Sequence, residues 1–338
     1  MVKHSSVRRK SIGDISIALW NWLEQHARVL LVLMLIGYAV VFSAASIFKL
    51  HTLRQGFDLA GNEQTIWNTM HGRLFRTSVF AMMDYDFDDG PVLLEVPLAA
   101  LYAVYPSTAT LLVLQTLAIV LGALPLYGLI REVWRPAAGL VAVALYFLHP
   151  TVQHMNLYEF QYRSFSLAFA LAAFYFFHRR QWGWWAVFLL LGMATKTEAA
   201  LFTAAFGLYA WTRKRPWHYV WPPILVGAAW FYLSLFVVVP RFTHGESSFV
   251  AGVYSYGYLG DSLGEVLHTL LTRPLFVLGV LFQPAKARFL ASFLFLSAFL
   301  PLLAPEWLVP AAPIFLLNLL SPNPVQFSLY YQYQGLTL

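Results

Sequence analysis

Hydrophobic residues in this chain come in long unbroken runs separated by short polar joints, without the strict alternation of half-buried strands. A helix that crosses a bilayer needs about 20 mostly apolar residues, with about 17–25 as the working range. The first such run, 29–48 (VLLVLMLIGYAVVFSAASIF), predicts one span. Runs at 107–130, 137–149, 164–178, 182–195, 199–212, 219–239, 288–304 and 306–320 predict eight more, several of them shorter than a full crossing. The stretch PVLLEVPLAALYAVYP at 91–106 is short, carries three prolines and holds Glu95, so it predicts a re-entrant or interfacial insertion. Ahead of the first span, Ile15, Ala18, Leu19, Trp22 and Leu23 form one stripe, the pattern of an amphipathic helix lying along a membrane surface. The 28-residue lead-in is longer than the basic segment of a cleaved signal peptide, so 29–48 reads as an uncleaved anchor. The expected architecture is all-α and polytopic, with about nine transmembrane helices plus the short insertion. It divides into a cytoplasmic tail, 1–28, and one transmembrane domain, 29–338, with a large first outer loop at 49–90 and an outer segment at 240–287.

Composition narrows the class further. Hydrophobic residues make up 59% of the 338 positions and charged residues 11%, less than half of the ~25% usual in soluble domains. That balance excludes disorder, coiled coil and a nucleic-acid module, and the bilayer is the expected surroundings. There is no cysteine, which excludes disulfides, thiolate zinc and a cysteine nucleophile. The net charge of +6 carries information through its position. If 91–106 does not cross, the segments 1–28, 131–136, 179–181, 213–218 and 305–306 lie inside and hold twelve of the 22 Lys and Arg in a small part of the length. Arg179-Arg180 and Arg213-Lys214-Arg215 then fall inside, as the positive-inside rule requires, while twelve of the sixteen acids fall outside. The expectation is a multi-pass protein of the cell membrane with a cytoplasmic N-terminus and an extracytoplasmic polar face.

On that face gather the polar clusters that spans do not explain. They are GFDLAGNEQTIWN at 56–68, DYDFDDG at 84–90, HPTVQHMNLYEFQYR at 149–163, Lys196-Thr197-Glu198, YSYGYLGDS at 254–262 and QFSLYYQYQ at 326–334. Charge near a membrane interior costs about 2.5–3.5 kcal/mol per residue on insertion scales, so such residues are functional candidates. Each also has a structural reading. Asp58 suits the N-cap of a helix over 59–71. Asp84, Asp86, Asp88 and Asp89 suit either a solvated acidic loop or an oxygen-ligand site for Mg²⁺, Mn²⁺ or Ca²⁺, with Asp88 and Asp89 as the closest pair. His149-Pro150 suits a helix end, and Glu159 with Arg163 suits a helix pair four apart. Lys196 suits snorkelling or a phosphate contact. The aromatic residues of 254–258 and 330–333, Tyr331 and Tyr333 among them, suit an interfacial belt.

The segments GFDLAGNEQTIWNTMHGR, LLVLQTLAIVLGALPLYGL, HPTVQHMNLYEFQ, ATKTEAALFTAAFGLY, YGYLGDSLGEVLHTLLTRP and FLPLLAPEWLVPAAPIFLLNLLS resemble the domain of unknown function 2079 family of prokaryotic membrane proteins. The resemblance runs from about residue 50 to the end of the chain. That family is similar to the GT-C glycosyltransferases, multispanning enzymes that take sugar from a polyprenyl-phosphate donor on the extracytoplasmic side. The resemblance therefore implies an inverting sugar transfer to a glycan, lipid or protein acceptor, with Asp58 at the position of the base or metal ligand. It implies donor or phosphate contacts among Lys196, Arg163, His149, Gln153, Glu159, Glu198, Tyr331 and Tyr333. The chain departs from the family pattern where histidines are expected: it has Asp88, Gln161 and Gln332 instead, which argues against an imidazole-based metal site. Family members also run past position 338 with further spans. A non-enzymatic lipid or solute carrier, or a membrane assembly partner, is the competing expectation. A carrier calls for polar residues at mid-membrane or repeated halves, and neither stands out here.

Overall fold

The computed structural model of the chain describes residues 12–79, 90–242 and 256–337. Helices dominate, and no extended strand occurs among the described residues. Helix α1 (Ile12–Gln25) leads almost directly into α2 (Ala27–His51). Helix α3 (Phe57–Met70) and the eight-residue α4 (Glu95–Tyr102) precede the long α5 (Thr108–Val133). Then come α6 (Pro136–Leu148), α7 (Pro150–Tyr158), α8 (Arg163–His178), α9 (Trp182–Met193) and α10 (Ala199–Thr212). Helix α11 (Trp217–Phe242) contains a π-turn at Ser234–Val238. The chain closes with α12 (Leu263–Thr272), α13 (Pro274–Leu281), α14 (Pro284–Leu296), α15 (Ala312–Leu320) and a packed tail.

Three of these helices, α2, α5 and α11, are long and apolar enough to cross a membrane on their own. Two bent pairs raise the number to five: α6 with α7, bent by 50°, and α12 with α13, bent by 96°. The nine separate spans expected from hydropathy are not found among the described residues. Helices α8, α9 and α10 have only 16, 12 and 14 residues, and two later runs are divided at prolines. The run 288–304 stops as a helix at Leu296, where Ala298 and Phe299 turn left-handed ahead of Pro301. The run 306–320 yields a 3₁₀ turn at Pro305–Leu308 and only the nine residues of α15, interrupted by Pro310 and Pro313. Each proline removes an amide donor and crowds the preceding turn. The predicted span 137–149 instead passes through its bend at His149 and continues to Tyr158. The segment 240–287, read as an outer loop, contains the α12–α13 elbow. In 91–106 the eight residues of α4 rise about 12 Å, far less than the ~30 Å of a hydrocarbon core.

Exposure patterns fit lipid surroundings. Helix α2 buries Ala27, Leu31 and Tyr38 and exposes Val29, Val32, Leu33, Ile36, Val40 and Val41, one face to protein and the other outward. On α1, Leu19 and Trp22 of the predicted stripe are exposed and Leu23 packs inward, while the side chain of Ile15 lies outside the described set. Trp20 receives Arg135 over its ring, and Glu24 pairs with the same guanidinium at 3.5 Å, which docks α1 on the start of α6. Helices α10 and α11 pack backbone to backbone because Gly207 and Gly227 face Val220 and Ala200 with no side chain between.

Charge separates to two ends of the bundle. At one end Arg135 pairs with Glu24, Arg179 with Glu132 at 3.6 Å and Arg213 with Glu306 at 3.7 Å. Arg180 and Lys214 sit there in the left-handed region, closing α8 and α10 with positive charge at the helix C-termini. Asp58, Arg163 and Glu198 lie at the opposite end of α8, whose 16 residues rise about 24 Å.

Candidate functional site

The site is built around the non-helical turn between α7 and α8, residues 159–162. Two helices take up its backbone groups, and a third holds the end of α7 that leads into it. Gln115, fully buried on α5, donates to the carbonyls of Asn156 and Glu159 at 2.9 Å and accepts the Gln161 amide at 2.6 Å. Asn62 on α3 donates to the Phe160 carbonyl at 2.9 Å. Lys49, at the end of α2, donates its ammonium to the last carbonyls of α7, those of Leu157 (2.8 Å) and Tyr158. A cation on the final carbonyls of a helix satisfies acceptors that have no intrahelical donor and opposes the dipole.

That turn presents two side chains to the start of α3. Gln161 donates from Nε2 to Asp58 Oδ2 at 2.8 Å. Oδ1 of Asp58 makes no hydrogen bond among the described residues. Glu159 accepts the Leu59 amide at 2.8 Å. The N-cap position of α3 belongs to Gly56, which offers no side chain, and Asp58 lies one residue inside the helix. The expectation that Asp58 caps a helix over 59–71 is therefore corrected: Glu159, from about a hundred residues downstream, performs the capping. Gly56 is glycine for a steric reason, since a Cβ there would overlap Glu159 Oε1. Burial raises the pKa of Glu159 above the ordinary carboxylate value, and Asp58 adds to the rise. The Leu59 amide and Lys49 pull the other way. The residue is only 8% exposed.

Glu159 and Arg163 do not form the helix pair expected from their spacing, because α7 ends at Tyr158 and no helix joins them. Arg163 grips Glu198 instead, with Nε to Oε1 at 2.6 Å and Nη2 to Oε2 at 2.9 Å. Its guanidinium lies over the ring of Tyr333 at 4.7 Å. Lys196 sits in the turn between α9 and α10 that carries Glu198. The same turn packs tightly on Gly90, whose φ of +93° and lack of a side chain accommodate the Thr197 hydroxyl. Leu94 donates its amide to the Ala194 carbonyl at 2.9 Å, and Glu95 accepts the Tyr162 hydroxyl at 3.0 Å. The insertion thus ties both joints of the site together. Behind the ion pair a recess lined by Ser166, Phe188, Phe202 and Leu336 has a volume of about 10 Å³, the scale of one water rather than a lipid chain.

The C-terminal tail completes the constellation. Tyr330 meets His154 edge-on, Tyr331 meets Tyr158 at 5.1 Å between ring centroids, and Tyr333 lies beneath Arg163. Asn318 of α15 holds the tail through the Tyr333 carbonyl at 2.9 Å. Tyr256 and Tyr258, expected in an interfacial belt, donate their hydroxyls to the Leu317 and Leu320 carbonyls at the end of α15.

Asp58, Glu159, Gln161, Arg163, Glu198, Tyr331 and Tyr333 form one connected cluster, with Lys196 in its adjoining turn. His149 and Gln153 stand apart. His149 caps the start of α7 by accepting the Thr151 amide, and Gln153 donates to the Phe147 carbonyl, so both serve the 50° bend. The nine residues of α7 put His149 about 13 Å from Glu159 along the axis. Asp84, Asp86, Asp88 and Asp89 lie outside the described residues. No group of three or more His, Asp or Glu within metal-binding reach occurs among the described residues. Sequence reasoning missed Gln115, Lys49 and Asn62. Gln115 had left a signal, as a lone amide deep in an apolar run.

Comparison with curated proteins and with solved structures finds no match to the chain. A family model described as "Predicted membrane protein (DUF2079)" matches residues 49–338, from the end of α2 through the tail and so across every part of this cluster. The chain belongs to that family of membrane proteins.

Proposed function

We propose that this protein is a GT-C-like membrane glycosyltransferase that moves a sugar from a polyprenyl-phosphate donor to an acceptor on the extracytoplasmic face. One observation carries the reading: Asp58 has one carboxylate oxygen fixed by Gln161 and the other without a hydrogen bond among the described residues. A carboxylate held in orientation, with an oxygen free to take a proton, is what a general base requires. In the proposed step Asp58 accepts the proton of the acceptor hydroxyl. The acceptor oxygen bonds to the anomeric carbon, and the bond from that carbon to the phosphate oxygen breaks with its electron pair leaving on the phosphate. Attack opposite the departing phosphate inverts the centre. Lys196 or Arg163 supplies positive charge for the departing phosphate, and Tyr331 and Tyr333 supply flat faces for a sugar ring. The insertion 91–106 walls the path of the prenyl chain into lipid. A divalent cation on Asp88 and Asp89 would add charge stabilisation at the phosphate.

The test is Asp58→Asn in membranes supplied with polyprenyl-phosphate-linked radiolabelled sugars. The amide keeps an acceptor for Gln161 and cannot take a proton, so transfer should fall by about 10²–10⁴-fold with the thermal midpoint unchanged. Transfer at the wild-type rate by the Asn variant would remove Asp58 from catalysis.

A further inference from the structure

A further cation suited to a phosphate lies outside those singled out by sequence. Arg163 is occupied: both arms of its guanidinium bind Glu198, so its charge is balanced within the protein. Lys286 is different. It is 2% exposed, and among the described residues it makes no hydrogen bond and no ion pair. Its ammonium lies 5.3 Å from the centroid of the Phe327 ring, beneath the tail. Burying an ammonium without a counter-charge is costly, so a covered lysine calls for an anion.

Local backbone adds to this demand. Lys286 stands in the first turn of the 13-residue α14, whose N-cap Gln283 makes no capping hydrogen bond. The first intrahelical bond runs from the Ala287 amide to the Gln283 carbonyl, which leaves the amides of Ala285 and Lys286 without helical partners. Helix side chains lean toward the amino end, so the Lys286 stem runs in the direction these amides face. Free amides and the positive end of the dipole stand in the same turn as this lysine, and with its ammonium they supply the recognition chemistry of a phosphate oxyanion.

The tail also links this position to the candidate site. Gln326, next to Phe327, accepts from the Gln334 side chain at 2.7 Å, and Gln334 follows Tyr333 beneath Arg163. The tail doubles back on itself and carries both Phe327, whose ring faces Lys286, and Tyr333, whose ring faces Arg163.

We propose that Lys286 and the amino end of α14 form a phosphate-binding site, occupied by the phosphate of the lipid donor. The role in transfer rests on the glycosyltransferase reading; the binding site does not. The experiment uses the purified full chain in dodecyl maltoside, titrated by calorimetry with farnesyl phosphate or with inorganic phosphate at matched ionic strength. Farnesyl phosphate should bind, and Lys286→Gln should weaken it by about tenfold or more, as expected for loss of a charge-assisted contact. Lys286→Arg should stay within about threefold of the wild type. Lys286→Met keeps the side-chain volume and removes a buried charge, so it should fold with an equal or higher thermal midpoint and still lose binding. Lys286-dependent binding of inorganic phosphate with equal affinity would assign the site to free phosphate instead of a lipid and overturn the lipid occupant. Wild-type affinity in Lys286→Met, or no binding of either probe by the wild type, would overturn the site. Binding that depends on Lys286 without any sugar transfer removes the transferase reading and leaves the site. Transfer with binding indifferent to Lys286 does the reverse.

Discussion

Glu159 reaches back to the amide of Leu59; the seat of its carboxylate calls for a glycine at 56, and its burial calls for a pH dependence. Because burial raises its pKa, the folded state binds more protons than the unfolded state between the ordinary value of 4.5 and the raised one. Stability contributed by this residue should therefore fall as pH rises through that window. Glu159→Gln keeps an acceptor for Leu59 and removes the charge, so its melting temperature should match the wild type at pH 4 and equal or exceed it at pH 8. Glu159→Ala loses the cap and should cost about 1 kcal/mol at either pH. Gly56→Ala should cost about 1–3 kcal/mol by overlap with the carboxylate, and the double variant Gly56→Ala/Glu159→Ala should cost less than the sum, since the clash partner is gone. Thermal unfolding in detergent from pH 4 to pH 8 checks all four variants. A Gln variant that melts lower than the wild type at pH 8 would refute the buried-charge account. None of this was legible in the sequence, where Gly56 and Glu159 are separated by a hundred residues and one complete helical excursion.

Between elements, the Arg163–Glu198 pair joins the start of α8 to the turn before α10. Its side chains are 6% and 17% exposed, so the pair is largely desolvated. Removing one partner of a buried pair strands the other and typically costs about 3–5 kcal/mol, whereas replacing both with apolar residues is often neutral. Arg163→Leu or Glu198→Leu alone should therefore fall in that range, and the double leucine variant should recover most of the loss. Chemical or thermal unfolding of the three proteins checks this. Additive losses in the double variant would mean that the residues act independently. The sequence placed Arg163 four positions after Glu159 and suggested a helix pair. The helix breaks there because Gln115 and Asn62 supply side-chain partners to the backbone of 159–161 in place of intrahelical bonds. Periodicity reports which residues are apolar. It says nothing of a distant amide that outcompetes a helical hydrogen bond.

For the whole molecule, the separation of charge to two ends bears on how the protein sits in a membrane. Arg179, Arg180 and Arg213 to Arg215 share one end with Glu24, Glu132 and Glu306, while the tail returns to the end that holds Asp58. Positive residues that flank spans stay cytoplasmic. Reporter fusions after Arg180 and after Arg215 should therefore both report cytoplasm, and a fusion at Leu74, beyond α3 on the Asp58 side, should report the extracytoplasmic side. Both arginine fusions reporting outside would reverse the molecule and with it the proposed donor side. Alkylation of single cysteines introduced at the same positions provides an independent readout, because the chain has no cysteine of its own.

The sequence by itself determined the medium, the helical class and the ends. Long apolar runs and sparse charge demand lipid, since no other surroundings would cover that surface, and lipid demands internally bonded backbone. The positions of the arginine clusters and of the Asp58, Glu198 and Tyr333 segments were likewise legible, because charge is expelled from spans to their ends. Tertiary structure decided how many runs become long helices, because prolines and left-handed breaks such as Ala298-Phe299 end a helix that hydropathy would continue. It also decided the pairing of the polar residues: Glu159 with α3, Arg163 with Glu198, Lys49 with the end of α7, and Lys286 with the ring of Phe327. A hydrogen bond or ion pair is specified by distance in space, and the distance between residues a hundred positions apart is fixed only when the helices between them pack.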